Sequence, residues 1–330
     1  MASIKDVANR AGVAISTVSK VLNGYPGVSR ETKDKVNQAI AELKFTPNAV
    51  AAALSSKRTG RVALLLNLSD KTQIVDAINM QYLSGAIQKA LEFKLDVITL
   101  FFSMLREKNV SEIINYLKSQ SIEGLIVYGM SREDQWLTEL MESGLFKMVT
   151  VDAPFSDEHI SSVWIDQQKA QYEVAKKTIL ENKGCKRIFY IAGKKNAFIT
   201  QGRIDGIKQL AQEMGLELTI AYGEFSESQA RELAFAHEKK TDIFVCASDL
   251  MAIGVMRILS ELDVFRPVCG FDGITLMGYA GKQMNTVRQD FAAISAAAVE
   301  ELQRLLEGER GRSRVLAHEV VQIRYQDVIG

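Results

Sequence analysis

Residues 12–24 read GVAISTVSKVLNG, where apolar residues recur at helical spacing among small hydroxyl side chains. At about 100° per residue, Val18 and Val21 fall on one face of a helix. Ser16 and Lys20 lie one turn apart on the opposite face. The stretch therefore predicts a short helix that is anchored along one face and presents hydrogen-bonding groups and a cation along the other.

Sequence signals on both sides of this stretch predict two further helices. Ser3 and Asp6 form an S-x-x-D capping box before an apolar stripe, and Gly12 ends that first helix in the left-handed conformation. Ser29 follows a turn and caps a third helix. Three short helices with a tight glycine turn between the first two predict a helix-turn-helix, whose second helix enters the major groove of DNA.

The outward side of the second helix carries groups that suit base edges. Lys20 can donate to guanine O6 and N7, Ser16 can donate or accept, and Ile15 can touch a thymine methyl. Nearby hydroxyl and amide groups suit phosphate contacts, which fix register without reading sequence. We assign that role to Ser3, Thr17, Ser19, Asn23 and Ser29. A three-helix bundle with a merely solvated polar face is the alternative interpretation.

The charge distribution supports a polyanion-binding N-terminal segment. The net charge is zero, but residues 1–60 contain nine Lys and Arg against four Asp and Glu, whereas the remaining 270 contain 31 against 36. A basic segment ahead of a mildly acidic body is typical of a nucleic-acid-binding module attached to a second function. Chance unevenness remains the alternative.

Length and composition limit the number of domains and the class of protein. A length of 330 residues, 47% apolar and 24% charged, predicts about two domains of an ordinary soluble protein. We expect no membrane span and no secretory signal, and three reduced, structural cysteines in a cytoplasmic protein. Motifs for phosphate binding, zinc proteases and dinucleotides are missing, so we predict neither an enzyme nor a bound cofactor or metal.

The segment AVAAALSSKR, residues 49–58, joins the two parts. Its alanines favour a helix, but about nine residues are too few for stability in isolation. Val50 and Leu54 lie one turn apart, so a second copy could pair through Val50 while Leu54 enters the minor groove as an apolar wedge. A flexible linker is the alternative interpretation.

From residue 61 the pattern changes to buried apolar runs that alternate with amphipathic segments. The runs include VALLLNL (62–68), GLIVYGM (124–130), RIFYIAG (187–193) and DIFVCAS (242–248). Such alternation predicts a doubly wound α/β architecture, whose ligands bind beyond the carboxyl ends of the strands. Nearly a dozen strands are too many for one sheet of this kind. We therefore predict two lobes with a ligand cleft between them.

Polar residues at predicted strand ends are the candidates for the cleft. Asp152 and Asp272 follow strands, Arg203 is expected to open the next helix, and Gln289 lies where the chain recrosses between lobes. Carboxylates, a guanidinium and an amide can bind vicinal hydroxyls, and an aromatic such as Phe225 can stack on a sugar face. Asp249 also follows a strand, but it suits a helix N-cap better.

The quoted headpiece, followed by VSRETKDKV and FTPNAVAAALSSKRTG, resembles the LacI/GalR family of bacterial transcription regulators. The resemblance implies base reading by Ile15, Ser16 and Lys20. It also implies that hinge helices from two chains insert into the minor groove, a role we assign to Asn48, Ala53 and Leu54.

The body is similar to the periplasmic-binding-protein-like core of the same family, whose chain crosses between its lobes three times. The motifs VTVDAP, QGRIDG, YGEFSESQ, CASDLMAIG and GFDG carry this resemblance. It implies effector contacts by residues of these motifs and by the lip of the first lobe, namely Asp152, Arg203, Phe225, Ser248, Asp272 and Gln73.

We predict a headpiece over residues 1–46, a hinge over 47–58 and an effector-binding and dimerisation domain over 59–330. Lobe 1 takes in about 61–163 and 291–319, and lobe 2 about 164–290 and 320–328. The predicted partners are a pseudo-palindromic double-stranded operator, a sugar or sugar phosphate, and a second copy of the chain. A co-repressor such as a purine, or a sugar-binding protein or enzyme without DNA specificity, is the alternative.

Overall fold

A computed structural model describes residues 2–22, 27–45, 61–67, 75–279 and 283–323. The chain divides into two compact units, Met1–Thr59 and Gly60–Gly330. The finer boundaries proposed for the headpiece, the hinge and the two lobes remain predictions.

Three helices form the described part of the first unit, namely α1 Ile4–Ala11, α2 Ile15–Leu22 and α3 Arg30–Glu42. The predicted capping box is confirmed, because the Asp6 N–H donates to Ser3 Oγ and the Ser3 N–H donates to the Asp6 carboxylate. Gly12 ends α1 with φ of 65°, and Ser29 caps α3. Local sequence signals therefore set the ends of these helices.

The headpiece core is small and lies where the helices meet. Val7 of α1, Val18 of α2 and Val36 of α3 are fully buried, with Ala8 and Ala39 beside them. The buried face of α2 is the apolar face predicted from its spacing. Packing on this face leaves the opposite side of α2 exposed.

The described part of the second unit contains two six-stranded sheets, one in each lobe. Sheet 1, in the order β11-β5-β4-β3-β1-β2, is entirely parallel. Sheet 2, in the order β12-β10-β9-β8-β6-β7, is parallel except that β12 runs antiparallel to β10. The strands of sheet 1 are β1 Arg61–Leu66, β2 Asp96–Phe101, β3 Ile122–Tyr128, β4 Lys147–Val151, β5 Ile160–Ile165 and β11 Ser313–Leu316. Those of sheet 2 are β6 Arg187–Ala192, β7 Glu217–Tyr222, β8 Ile243–Cys246, β9 Val268–Cys269, β10 Asn285–Arg288 and β12 Glu319–Gln322.

Helices cover both sheets, as the predicted doubly wound architecture requires. In lobe 1 they are α4 Val75–Phe93, α5 Phe102–Leu105, α6 Val110–Ser119, α7 Gln135–Glu142 and α12 Phe291–Leu306. In lobe 2 they are α8 Gln167–Glu181, α9 Phe198–Met214, α10 Glu227–His237 and α11 Asp249–Glu261. Short 3₁₀ helices span Glu238–Lys240 and Thr275–Tyr279.

The chain passes between the lobes three times, after β5, after β10 and after β11. The predicted fold class, with two lobes and three crossings, is confirmed. Among the helices of the described residues, none has the length and apolar character needed to cross a bilayer.

Gly85 lies where α4 packs closely against α12, since a Cβ there would lie 2.1 Å from the Ala292 carbonyl oxygen. Gly85→Ala must push these helices apart, so we expect a loss of about 1–3 kcal/mol in the free energy of unfolding. Urea unfolding of the full chain measures it. Ser84→Ala, on the exposed side of the same helix, is the matched control, and equal midpoints for the two variants would contradict the prediction.

Candidate functional site

Buried and half-buried polar residues from both lobes meet at the carboxyl ends of the strands. Asp152 comes directly after β4 of sheet 1, whereas Gln167 begins α8 just after the first crossing. Asp272 lies between β9 and β10, and Gln289 comes directly after β10. The carboxyl ends of the parallel strands in the two sheets therefore face each other across these groups, which is where α/β folds bind their ligands.

Arg203 is the central cation of the cluster and is only 2% exposed. Its Nε donates to Gln167 Oε1 at 2.8 Å, and its Nη1 donates to the Ala247 carbonyl. Nη1 also lies 4.0 Å from Asp272 Oδ1, and the guanidinium carbon is 3.6 Å from the centroid of the Phe271 ring. Arg203 was expected to open its helix, but it lies in the second turn of α9, which places the guanidinium inside the lobe.

Asp152 joins the two lobes. Gln167 Nε2 donates to its Oδ1 at 3.2 Å, and the Tyr82 hydroxyl lies 3.5 Å from its Oδ2. Burial raises the pKa of Asp152 to about 6, whereas Arg203, Gln167 and Tyr82 oppose that rise. A chain of contacts therefore connects α4 of lobe 1 through Asp152 and Gln167 to Arg203 of lobe 2.

Asp272 continues the chain of contacts in lobe 2. Gln289 Nε2 donates to its Oδ1 at 3.2 Å, while the Gln289 Oε1 is buried without a hydrogen-bond partner. Burial raises the pKa of Asp272 to about 8; Arg203 lowers it, and the nearby carboxylate of Asp249 raises it further. The Asp272 backbone has φ of 126°, a strained value for a residue with a Cβ. The Gln289 Oε1 can therefore accept a hydrogen bond from a further group, and contact of Asp272 and Gln289 with an effector remains a prediction.

The expectation that Asp249 caps a helix is wrong. Ser248 is the N-cap of α11, because its hydroxyl accepts from the Met251 N–H at 3.3 Å. The Asp249 carboxylate is fully buried and accepts from the backbone of Gly273 and Ile274 and from the Thr286 hydroxyl. It holds the loop that carries Asp272.

Ser248 and Phe225, both predicted to touch the effector, also lie at strand ends. Ser248 is buried and follows β8. Phe225 follows β7 with φ of 58°, and its ring covers Gly193, where a Cβ would lie 2.0 Å from the ring Cζ. Their contact with an effector remains a prediction. Gln73 lies outside the described residues.

Two residues of the network, Gln167 and Tyr82, were not anticipated from the sequence. Gln167 comes shortly after ISSVWI, the sequence of β5. The two serines interrupt its apolar pattern, so this segment was not predicted as a buried strand. Tyr82 belongs to the apolar face of a helix, and a buried tyrosine hydroxyl needs a polar partner. That partner is 70 residues away at Asp152.

In the first unit, the predicted base-reading residues share one exposed side of α2. Ile15 is 48% exposed, and Ser16 and Lys20 are exposed as well. Exposure of the apolar Ile15 beside a hydroxyl and a cation is the pattern expected of a surface that meets bases.

The residues predicted to contact phosphate lie around this surface. Ser3 and Ser29 are exposed and each also caps a helix, whereas Thr17 and Ser19 are half-buried. DNA contact by these residues remains a prediction. Asn23, Asn48, Ala53 and Leu54 lie outside the described residues.

Two family models match the chain. Residues 3–48 match the model of bacterial regulatory proteins of the lacI family. Residues 74–302 match the model of periplasmic binding proteins and the sugar binding domain of the LacI family.

Full-length relatives agree with both models. The chain is 30% identical over 333 residues to the HTH-type transcriptional regulator RegA of Clostridium saccharobutylicum, covering 97% of this chain and 98% of the relative. It is 28% identical over 323 residues to the catabolite control protein A of Staphylococcus aureus, with 93% of each covered.

Solved structures share the fold. A lac repressor dimer bound to operator and the anti-inducer ONPF is 20% identical with a TM-score of 0.81, covering 98% of each chain. A complex of the transcriptional regulator CelR with cellobiose is 24% identical with a TM-score of 0.71, covering 98% of this chain and 99% of that one.

The matches first define a class, that of DNA-binding transcription regulators with a periplasmic-binding-protein-like effector domain. The chain belongs to the LacI family of bacterial regulatory proteins. The resemblance seen in its headpiece and body motifs is thereby confirmed.

Proposed function

We propose that this regulator is a homodimeric repressor whose operator affinity is controlled by a small sugar bound between its lobes. Ile15, Ser16 and Lys20 read bases, the residues around them hold phosphates, and the effector cleft is lined by the polar network. The chain acts on DNA in the cytoplasm and catalyses no reaction of its own.

One observation carries the effector proposal, namely the continuous polar network from Asp152 through Gln167 and Arg203 to Asp272 and Gln289. Its members come from both lobes, so a ligand that contacts them senses the angle between the lobes. Carboxylate and amide oxygens accept hydrogen bonds from sugar hydroxyls.

The charges of the network favour an uncharged sugar over a sugar phosphate. Arg203 lowers the pKa of both Asp152 and Asp272, and the carboxylate of Asp249 lies near Asp272. Among the described residues, Arg203 is the one buried arginine or lysine. Arg203 already donates to Gln167 and Ala247. The raised pKa of Asp272 leaves it mostly protonated at pH 7, but Asp152 and Asp249, with pKa values of about 6, are mostly ionised. A phosphate would therefore still meet more negative than positive charge in a poorly solvated site.

An exposed apolar stripe on α4 supports pairing with a second copy. Met80, Ile87 and Leu91 are 63%, 45% and 70% exposed and lie at helical spacing along one side. Several exposed apolar side chains along one side of a helix are typical of an interaction surface. Pairing two headpieces fits a pseudo-palindromic operator, because operator symmetry mirrors the symmetry of the dimer.

A binding-site selection with the full chain, combined with a thermal-shift screen of sugars, sugar phosphates and nucleobases, tests the proposal. We expect an enriched pseudo-palindrome and an uncharged sugar that raises the melting temperature by mass action. The same sugar should change operator affinity, and operator DNA must change sugar affinity by the same factor. No enriched sequence, or a response only to nucleobases, would overturn the proposal.

Lys20→Ala is expected to relax base preference in the selected sites by about 1–3 kcal/mol at one position of each half-site. Quantitative binding to the selected operator and its single-base variants measures the preference. Lys33→Ala removes an exposed lysine of α3 and should weaken all sequences alike. Unchanged preference in the Lys20 variant would remove Lys20 from the base-reading set.

A further inference from the structure

Two loops, one from each lobe, meet at a point separate from the three crossings. One follows β3 and contains Ser131, Arg132 and Glu133; the other precedes α9 and contains Asn196 and Ala197. Ser131 and Ala197 form an antiparallel β-bridge, and the Arg132 N–H donates to the Asn196 carbonyl at 2.9 Å. We call this contact the clasp.

Side chains reinforce the clasp from both lobes. Arg132 Nη1 donates to the Ala197 carbonyl at 3.4 Å, and Asn196 Nδ2 donates to Glu133 Oε1. The Arg132 guanidinium carbon lies 4.7 Å from the centroid of the Phe198 ring. Phe155 of lobe 1 packs edge-on against that ring at 5.2 Å. Phe198, the first residue of α9, therefore contacts the Arg132 and Phe155 side chains of lobe 1.

Each half of the clasp is held in shape within its own lobe. The buried Asp134 carboxylate accepts from the Ser131 N–H at 2.9 Å and from the Ser131 hydroxyl at 2.8 Å. In lobe 2 the Thr200 hydroxyl donates to the Lys194 carbonyl at 2.7 Å. Preformed halves lose little conformational freedom when they meet, so their contact is favoured.

We propose that the clasp is a latch that holds the two lobes in the closed arrangement and so sets how far the effector can change operator affinity. Its bonds exist only while the loops are adjacent, so they stabilise the closed arrangement alone. Phe198 and Arg203 lie on the same helix, which links the latch to the effector cleft. Arg132 and Phe198 are thus positioning residues, and their regulatory role rests on the function proposed above.

A disulfide across the β-bridge tests the latch in the full chain. Residues paired in an antiparallel bridge have Cα atoms about 4.5–5.5 Å apart, within the reach of a disulfide. Ser131→Cys with Ala197→Cys should form an intramolecular disulfide under mild oxidation, seen as a faster band on a non-reducing gel. The wild type, with its own three free cysteines, and the two single variants are the controls.

The oxidised double variant should bind the selected operator with the same affinity whether or not the sugar from the thermal-shift screen is present. Reduction should restore the wild-type response. Failure to form the disulfide, or a full response in the oxidised form, overturns the latch. A wild type that neither selects DNA nor responds to any sugar is instead a failure of the proposed function, and the disulfide itself still reports the clasp.

Hydrogen exchange gives a second readout that needs neither DNA nor effector. Phe198→Ala should speed exchange of amides in residues 129–134 by about fivefold, the effect of losing one modest contact. Phe235→Ala removes an exposed phenylalanine from α10 and should leave this segment unchanged. Equal exchange in both variants contradicts the clasp.

Discussion

Arg203→Ala is expected to abolish the response to the effector and to lower the melting temperature of the second unit by about 10 °C. The substitution leaves the half-buried Asp152 and Asp272 without their cation and leaves Gln167 Oε1 without the Arg203 donor. Breaking one partner of a buried charge network costs about 3–5 kcal/mol. Calorimetric titration with the sugar identified by screening, together with thermal unfolding, measures both effects.

Arg187→Ala is the matched control. Arg187 lies at the start of β6, far from the carboxyl end that faces the cleft, and its Nη2 lies 2.6 Å from Asp242 Oδ1. It should leave effector affinity unchanged. Arg203→Lys keeps the charge but loses the planar fork, so we expect an intermediate loss of affinity with better stability. Wild-type effector affinity in the alanine variant would exclude Arg203 from the site.

Asp272→Asn is expected to raise the melting temperature of the effector-free chain at pH 8, with little change at pH 4. Burial raises the pKa of Asp272 to about 8, whereas an unfolded aspartate titrates near 4. Between pH 4 and pH 8, Asp272 therefore takes up a proton when the chain folds. The free energy of unfolding falls as the pH rises through this range. The slope is at most about 1.4 kcal/mol per pH unit, so several degrees separate the variant from the wild type at pH 8.

Asp242→Asn provides a control of opposite sign. Hydrogen bonds from Arg187 hold the pKa of Asp242 at about 2, so this carboxylate stabilises the fold at neutral pH and loses that effect as pH falls through 2. The Asp242 variant should therefore melt below the wild type at pH 8. If Asp272→Asn also melts lower at pH 8, the ionised Asp272 carboxylate does not destabilise the folded chain and the pH argument is wrong.

Features set by local sequence were predicted well. The capping box of Ser3 and Asp6, the left-handed Gly12 and the Ser29 cap each depend on residues within four positions, which the sequence displays directly. Ser248 and Asp249 illustrate the limit. Both residue types cap helices, and their roles are separated only by the loop of Gly273 and Ile274, which folds over Asp249 from 24 and 25 residues away.

The polar network of the cleft was predicted only in part, because some of its residues are placed by contacts distant in sequence. Asp152, Arg203, Asp272 and Gln289 follow strands or match motifs, so their convergence could be expected from topology. Gln167 and Tyr82 have no such signal, because their place depends on the side chain of Asp152 and on packing between elements far apart in sequence.

Helix α4 gives the protein a mechanical linkage between its interior and its surface. Tyr82 on its inner side touches the Asp152 carboxylate, Gly85 lies directly against α12, and Leu91 on its outer side is exposed. Because an α-helix is stiff, we expect a displacement of Tyr82 to turn or shift the exposed stripe of Met80, Ile87 and Leu91 as well. We therefore expect a ligand that displaces the Tyr82 hydroxyl to move the exposed stripe of α4, on which we propose that two copies of the chain pair.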